Sequence, residues 1–232
     1  MSKFSIVIPV YNESKNLSLL IPEIYKFLKK EIFELIIVDD NSSDNTSKII
    51  KNFKKKNLKH IIRRRDRDLI KSCILGFKNS KYDIILVMDG DLQHRPKDIL
   101  KFLYAFKKYN VDIVVGTRNL FKNKTHNLSV IRLTASRILI LIVNLLLGNR
   151  TSDPMSGFFL FKKKIFLENQ SKLFKKGYKI LLDLIYTSKS KYKICDVQIN
   201  FDSRKKGTSK MNLKIVFFLI LMVFSKFYAK FL

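Results

Sequence analysis

The chain has 232 residues, 47% of them apolar, which suits one packed domain and excludes a globally disordered chain. A formal charge of +27 and a pI near 10.1 give a surface that attracts polyanions: nucleic acid, anionic headgroups or phosphorylated substrates. The only two cysteines, Cys73 and Cys195, are far apart, which excludes a disulfide framework or a thiolate zinc cluster and suits reduced thiols in a cytosolic setting.

The opening run Phe4–Tyr11 flows into Asn12–Glu13 and reads as a strand, not a secretory leader. Ser14 can cap a helix to about Lys30, and Phe33–Val38 is a second strand. Asp44 follows the polar turn Asp39–Ser43 and can cap a helix to about Lys56. Lys59–Arg63 is a weaker strand and Leu69–Asn79 looks helical. Ile84–Met88 is a strong strand, Pro96–Lys108 a helix opened by proline, and Asp112–Gly116 a further strand. Such alternation predicts an α/β fold with a mostly parallel sheet, whose ligands bind beyond the carboxyl ends of its strands. Tyr11–Glu13, Asp39–Asn41 and Asp89–Gln93 are the polar clusters at those ends.

The second half changes character. Val130–Leu147 is long, apolar and helical, with Arg132 and Ser136 one helical turn apart. Asp153–Gly157 is a turn, Phe158–Phe161 and Ile194–Asn200 are strand-like, and Phe201–Lys214 is a basic loop. Every residue from Ile215 to Phe224 is apolar, and Lys226 and Lys230 follow. That run predicts an element immersed or buried on all sides. It is too short for a full span of about 30 Å, and extending it to Leu232 would draw Lys226 and Lys230 into or across the membrane, although lysines can snorkel; a monotopic anchor is favoured.

The clusters carry the chemistry. Asp89, Asp91 and Gln93 form an all-oxygen set of the kind preferred by hard divalent cations that bridge phosphates. Gly90 between them leaves room for a nucleotide to approach the backbone. A lone D-x-D is as readily a solvated acidic turn. Asp39 and Asp40 suit either a nucleoside or turn and cap chemistry. Tyr11 offers a ring to a base, or belongs to an ordinary strand-to-helix turn. Arg118, Arg132 and Arg204 can clamp phosphates bidentately with Lys210 as a further cation, although 46 Lys and Arg make any single one ambiguous. His94 reads as a packing residue beside the acidic cluster.

In this order, the segments Val7–Glu13, Ile37–Asp44, Val87–His94, Val115–Arg118, Ser152–Phe158 and Arg204–Lys210 resemble family 2 glycosyltransferases of the dolichol-phosphate mannose synthase group. The resemblance runs from Val7 to Lys210. It implies a GT-A fold over residues 1–210, including an interface helix at 130–147, followed by a hydrophobic membrane-associating segment at 211–232. The implied reaction is metal-dependent, inverting transfer of a hexose, foremost mannose from GDP-mannose, to a polyprenyl or dolichyl phosphate. By the same resemblance, Pro9, Tyr11, Glu13 and Asp40 would hold the nucleoside, with Asp89, Gly90 and Asp91 along the nucleotide-sugar. Asp89, Asp91 and Gln93 would hold Mg²⁺ or Mn²⁺. Arg118, Arg132, Ser136, Arg204 and Lys210 would receive phosphates, and Asp91, Arg118, Arg132 and Arg204 would be the catalytic set. The implied place of work is the cytoplasmic face of a membrane, peripheral or monotopic, with room for a membrane partner subunit.

Three departures stand out: Arg63–Cys73 replaces a loop often rich in glycine and lysine, Asn45 a common glycine, and Arg95 a common proline. UDP-glucose or another nucleotide-sugar is an alternative donor. A nucleic-acid-binding protein is motivated by charge alone and lacks an RNA-binding signature. A non-catalytic subunit is argued against by the intact Asp89–Gln93 set.

Overall fold

The computed structural model describes residues 3–64, 66–118, 130–188, 192–202 and 213–229, with the side chains of 130–133, 135–136 and 213–216 excepted. Four parallel strands form one half of a seven-stranded sheet: β1 (Lys3–Val10), β2 (Ile32–Asp39), β3 (Leu58–Ile62) and β4 (Ile84–Val87). β5 (Ile113–Thr117), β6 (Phe159–Lys162) and β7 (Ile194–Gln198) complete the order β3-β2-β1-β4-β6-β5-β7. β1 and β2 are apolar on both faces because helices cover the sheet on each side, as parallel sheets require.

α1 (Ser14–Phe27) follows β1, and α2 (Thr46–Asn52) follows β2. The N-cap of α2 is Asn45, one residue later than expected; Asp44 precedes it and accepts from the Thr46 N–H at 2.9 Å, and α2 ends at Asn52, short of Lys56. α3 (Leu69–Lys78) is capped by Asp68, which accepts from the Lys71 N–H at 3.0 Å. The helix after β4 begins as a 3₁₀ turn at Pro96–Asp98 and continues as α4 (Ile99–Tyr109).

One strand runs against the others. β6 lies between β4 and β5 and is antiparallel to both, with Val87 opposite Phe159 and Ile84 opposite Lys162. The start of β6 therefore lies at the same sheet edge as the end of β4. Chain reversal brings the turn before β6 to the carboxylate loop after β4.

α5 (Val130–Leu147) has the bounds that its apolar run predicts. Two helices absent from the sequence reading follow, α6 (Lys163–Asn169) and α7 (Ile180–Thr187). α8 (Leu213–Tyr228) packs against both α5 and α7. α8 turns one apolar face to the protein and another away from it. Leu219, Met222 and Val223 are buried, while Phe217, Ile220, Leu221, Phe224 and Tyr228 are exposed. Lys226 does not snorkel: only 5% of its side chain is exposed, and it forms an ion pair with Asp183 of α7 at 2.7 Å. Burying Leu219, Met222 and Val223 carries Lys226, one turn on, inward as well. The Asp183 carboxylate neutralises it there.

Candidate active site

The carboxyl ends of β1 and β2 interlock through short polar side chains. The Asn12 N–H donates to Ser42 Oγ at 2.8 Å, and the Ser43 N–H donates to Asn12 Oδ1 at 2.8 Å. Asn12 tolerates the left-handed backbone this needs, with φ of 54°. Glu13 is fastened into the same corner, accepting from Asn16 Nδ2 at 2.6 Å. Asp39 is fully buried and bonded to the Ser42 N–H and the Ser47 hydroxyl at 2.9 and 2.7 Å. Burial alone would raise its pKa, but His60, 3.7 Å away, and the hydrogen bonds from Ser42 and Ser47 prevail and hold it at about 2. Asp39 is thus the turn residue of the pair. Asp40 pairs with Arg63 at 2.5 Å and accepts from the Asp68 N–H at 2.8 Å. Burial raises the Asp40 pKa against the opposing pull of that N–H and Arg63.

After β4, Asp89 and Asp91 differ in setting. The Asp89 side chain is 38% exposed. Asp91 is buried and accepts from the Gln93 N–H at 3.1 Å, which sets its carboxylate within the turn. Gln93 donates through Nε2 to the Asp202 carbonyl at 3.2 Å, and Arg95 grips the Asp202 carboxylate through Nε at 2.6 Å and through Nη2. The segment leaving β7 is thereby bound across the acidic turn, and Arg95 has a use that a proline would not serve. His94 is buried and stacked on Phe158, centroids 4.8 Å apart, and accepts from the Asp89 N–H through Nδ1 at 3.2 Å. Burial depresses its pKa to about 4 against the opposing Asp91 carboxylate, so near neutral pH it is an uncharged spacer. Gly90 has a different reason from the one expected: a Cβ there would meet Val10 Cγ1 at 2.9 Å, so the core beneath demands the glycine.

Opposite Asp89 lies the turn before β6. Asp153 is completely buried and holds Arg118 by a fork, Nε to Oδ2 at 2.7 Å and Nη2 to Oδ1 at 2.9 Å. Burial disfavours the charged guanidinium, but Asp153 and Asp89 outweigh that and raise its pKa. A second cation, Lys179, donates to the Met155 carbonyl at 2.9 Å. Burial and the neighbouring Arg118 lower its pKa, against Asp89 and Asp153. Gly157 touches the acidic side directly: a Cβ there would stand 2.6 Å from Asp89 Oδ2.

The structure therefore brings Asp89, Asp91, Gln93 and Arg118 to one edge of the sheet, with Tyr11, Glu13 and Asp40 along the same edge. Pro9 is buried within β1. Arg132 and Ser136 lie on α5, but their side chains fall outside the described residues, as do Arg204 and Lys210 entirely. Sequence reading gave Asp153, Gly157 and Lys179 no role. Asp153 and Gly157 were visible as a turn motif, whereas Lys179 stands before a short helix with no cap signal to mark it.

Hard oxygen donors on an exposed and a buried carboxylate suit a divalent cation whose remaining ligands are diphosphate oxygens and water. No group of three or more His, Cys, Asp or Glu side chains converges as a closed cage among the described residues.

The sequence profile of glycosyl transferase family 2 matches residues 5–169, from β1 through α6. The chain belongs to this family. A dolichol-phosphate mannosyltransferase of Pyrococcus furiosus is 34% identical over 219 residues, spanning 93% of this chain and 61% of the relative. The dolichol-phosphate mannosyltransferases of Mycosarcoma maydis and Saccharomyces cerevisiae are 30% and 29% identical, covering 92% of this chain in each case and 75% and 83% of the relatives. The chain thus spans about three-fifths of the archaeal relative's length. Among solved structures, glucosyl-3-phosphoglycerate synthase from Mycobacterium tuberculosis with Mn²⁺, UDP-glucose and phosphoglyceric acid superposes with a TM-score of 0.74 at 16% identity. The match covers 98% of this chain and 80% of that one. Its complex with Mn²⁺, UDP and glucosyl-3-phosphoglycerate gives 0.71 at 16% identity, over 99% and 80%. At that identity the likeness establishes the GT-A fold.

For a family 2 glycosyltransferase, the placement of the two poles is informative. The acidic pole extends the central strand β4, and the cationic pole is built from β5 and the turn before β6. The antiparallel strand between them sets their separation.

Proposed function

We propose that the protein transfers a hexose from a nucleotide-sugar, foremost mannose from GDP-mannose, to a polyprenyl phosphate with inversion at the anomeric carbon. The observation that carries this reading is that two buried cations, Arg118 held by Asp153 and Lys179 held by the Met155 carbonyl, sit on the turn whose Gly157 lies against the Asp89 carboxylate. An anionic acceptor beside an anionic donor needs both poles. The polyprenyl acceptor comes from the names of the sequence relatives, and UDP-glucose stays an alternative donor because the fold's neighbours carry it.

A phosphate monoester is largely ionised near neutral pH and is already a nucleophile, so no strong general base is required. His94, neutral and packed between Phe158 and Phe201, fits that absence. Arg118, held in plane by Asp153, would present its remaining N–H groups to a phosphate. Asp89, Asp91 and Gln93 would hold Mg²⁺ or Mn²⁺, which would offset the charge developing on the leaving diphosphate.

The acceptor's headgroup lies at a bilayer surface, and two adjacent helices suit one. α5 exposes Ile138, Leu141, Ile142 and Leu145, and α8 exposes Phe217, Ile220, Leu221 and Phe224, each a single helical stripe. Among the described residues no helix is long and apolar enough to cross a membrane. We place the enzyme monotopically on the cytoplasmic face, with residues 211–232 as a membrane-associating segment fastened to the catalytic domain.

The test is a donor screen in detergent with radiolabelled GDP-mannose and UDP-glucose, polyprenyl phosphate and Mn²⁺. Lipid-extractable label that needs the acceptor and disappears with EDTA is expected. No transfer from any nucleotide-sugar, or full transfer without divalent metal, sinks the reading.

A further inference from the structure

The loop between β3 and α3 brings an arginine to Tyr11 at the carboxyl edge of the sheet. Its ends are fixed. Arg63 is buried against Asp40 at 2.5 Å and also donates to the Asp66 carbonyl. Asp68 donates its N–H to Asp40 at 2.8 Å and accepts from the Lys71 and Gly177 N–H groups, both at 3.0 Å. Arg67 immediately precedes that anchor. Its guanidinium carbon lies 4.4 Å from the centroid of the Tyr11 ring, although the residue as a whole is exposed. Cation and ring attract each other here, and the anchored Asp68 next in the chain limits how far Arg67 can move from Tyr11.

We propose that Arg67 is a specificity residue that reads the base of the nucleotide donor and favours guanine over uracil. This rests on the nucleotide-sugar reading given above. Tyr11 follows β1 at the carboxyl edge of the sheet, where ligands of α/β sheets bind. A guanidinium lying on Tyr11 is a planar fork of donors whose orientation the ring fixes. Guanine presents two adjacent acceptors, O6 and N7, that match such a fork bidentately. The corresponding edge of uracil, like that of thymine, presents the single acceptor O4. A lysine at this position would supply charge without the fork.

The experiment is calorimetric titration of the full chain in detergent with GDP and with UDP, each with Mn²⁺, for the wild type, Arg67→Ala and Arg67→Lys. The two ligands share the diphosphate, so the phosphate contribution cancels in the comparison. The wild type should prefer GDP by roughly tenfold or more. Arg67→Ala should weaken GDP by a similar factor and leave UDP within about twofold, and Arg67→Lys should behave like the alanine variant. Equal loss for both ligands would reduce Arg67 to general electrostatics, and equal gain would make it a plug over Tyr11. Either result overturns the proposal, as does an unchanged preference or a wild-type preference for UDP. Wild type that binds neither nucleotide would overturn the donor reading itself and this inference with it. Arg67 is exposed, so neither variant threatens folding.

Discussion

Gly157 lies against the carboxylate of Asp89: the nearest oxygen would be 2.6 Å from a Cβ placed on it. Asp89 is partly exposed and can swing away, so Gly157→Ala should fold with a melting temperature within a few degrees of wild type. Its carboxylate would then be displaced by about an ångström or more, which can cost about 10²-fold in rate. Measured transfer should fall accordingly, with the half-saturating Mn²⁺ concentration raised. Wild-type kinetics in this variant would separate Asp89 from the chemistry.

The Arg118–Asp153 fork predicts unequal effects of changing its two members. Asp153→Ala leaves a buried guanidinium without its partner and should cost about 3–5 kcal/mol of stability. Arg118→Lys keeps a charge beside Asp153 and should cost less, yet lose most activity because one point charge cannot both pair with Asp153 and fork onto a phosphate. Denaturant unfolding and initial rates on the same preparations check both halves.

Lys226 and Asp183 provide a stability test remote from the acidic turn. Lys226→Met strands a buried carboxylate that also accepts from the Phe174 and Lys175 N–H groups, and a loss of about 3–5 kcal/mol is expected. Thermal unfolding in detergent measures it. A negligible shift would mean that α8 is held by its apolar contacts alone.

Asp39 gives a pH-dependent signature. Its folded pKa of about 2 lies below the ordinary 3.8, so its contribution is present above pH 4 and is lost as pH falls towards 2. Asp39→Asn should be destabilised by about 2 kcal/mol at neutral pH. The gap from wild type should narrow steadily below about pH 4 in denaturant titrations.

The apolar stripes make a prediction about membranes. Leu141→Glu, Leu145→Glu and Phe224→Glu change only exposed positions and should leave folding intact. Combined, they should shift the protein out of the floating fraction of anionic vesicles even at low salt. Retention that disappears only at high salt would instead assign binding to the basic surface.

Much of the first half was legible because buried central strands and amphipathic helices leave regular traces. β1, β2 and β4 are continuous apolar runs ending in acidic or amide residues, and those ends proved to share one edge. The direction of β6 was not legible: Phe158–Phe161 reads as a strand either way, and its partners are set by the long path through α5. α6 and α7 are too short to show a period and lack cap residues. Lys179 was hidden for the same reason, and Arg67 because no local pattern reveals which ring a loop arginine will meet. The buried pairing of Lys226 was not legible either, since its carboxylate partner stands on another helix.

The antiparallel insertion of β6 has a bearing on biosynthesis. A nascent chain extruded only through β5 already carries both carboxylates of the acidic turn, but not the glycine against which one of them rests or the aspartate that orients the arginine. On the function proposed above, the site would be complete only late, when the closure of β6 between β4 and β5 has taken place. Activity is in that sense a report on completed folding, and circular permutants cut between β5 and β6 would have to rebuild the same junction from two chain ends.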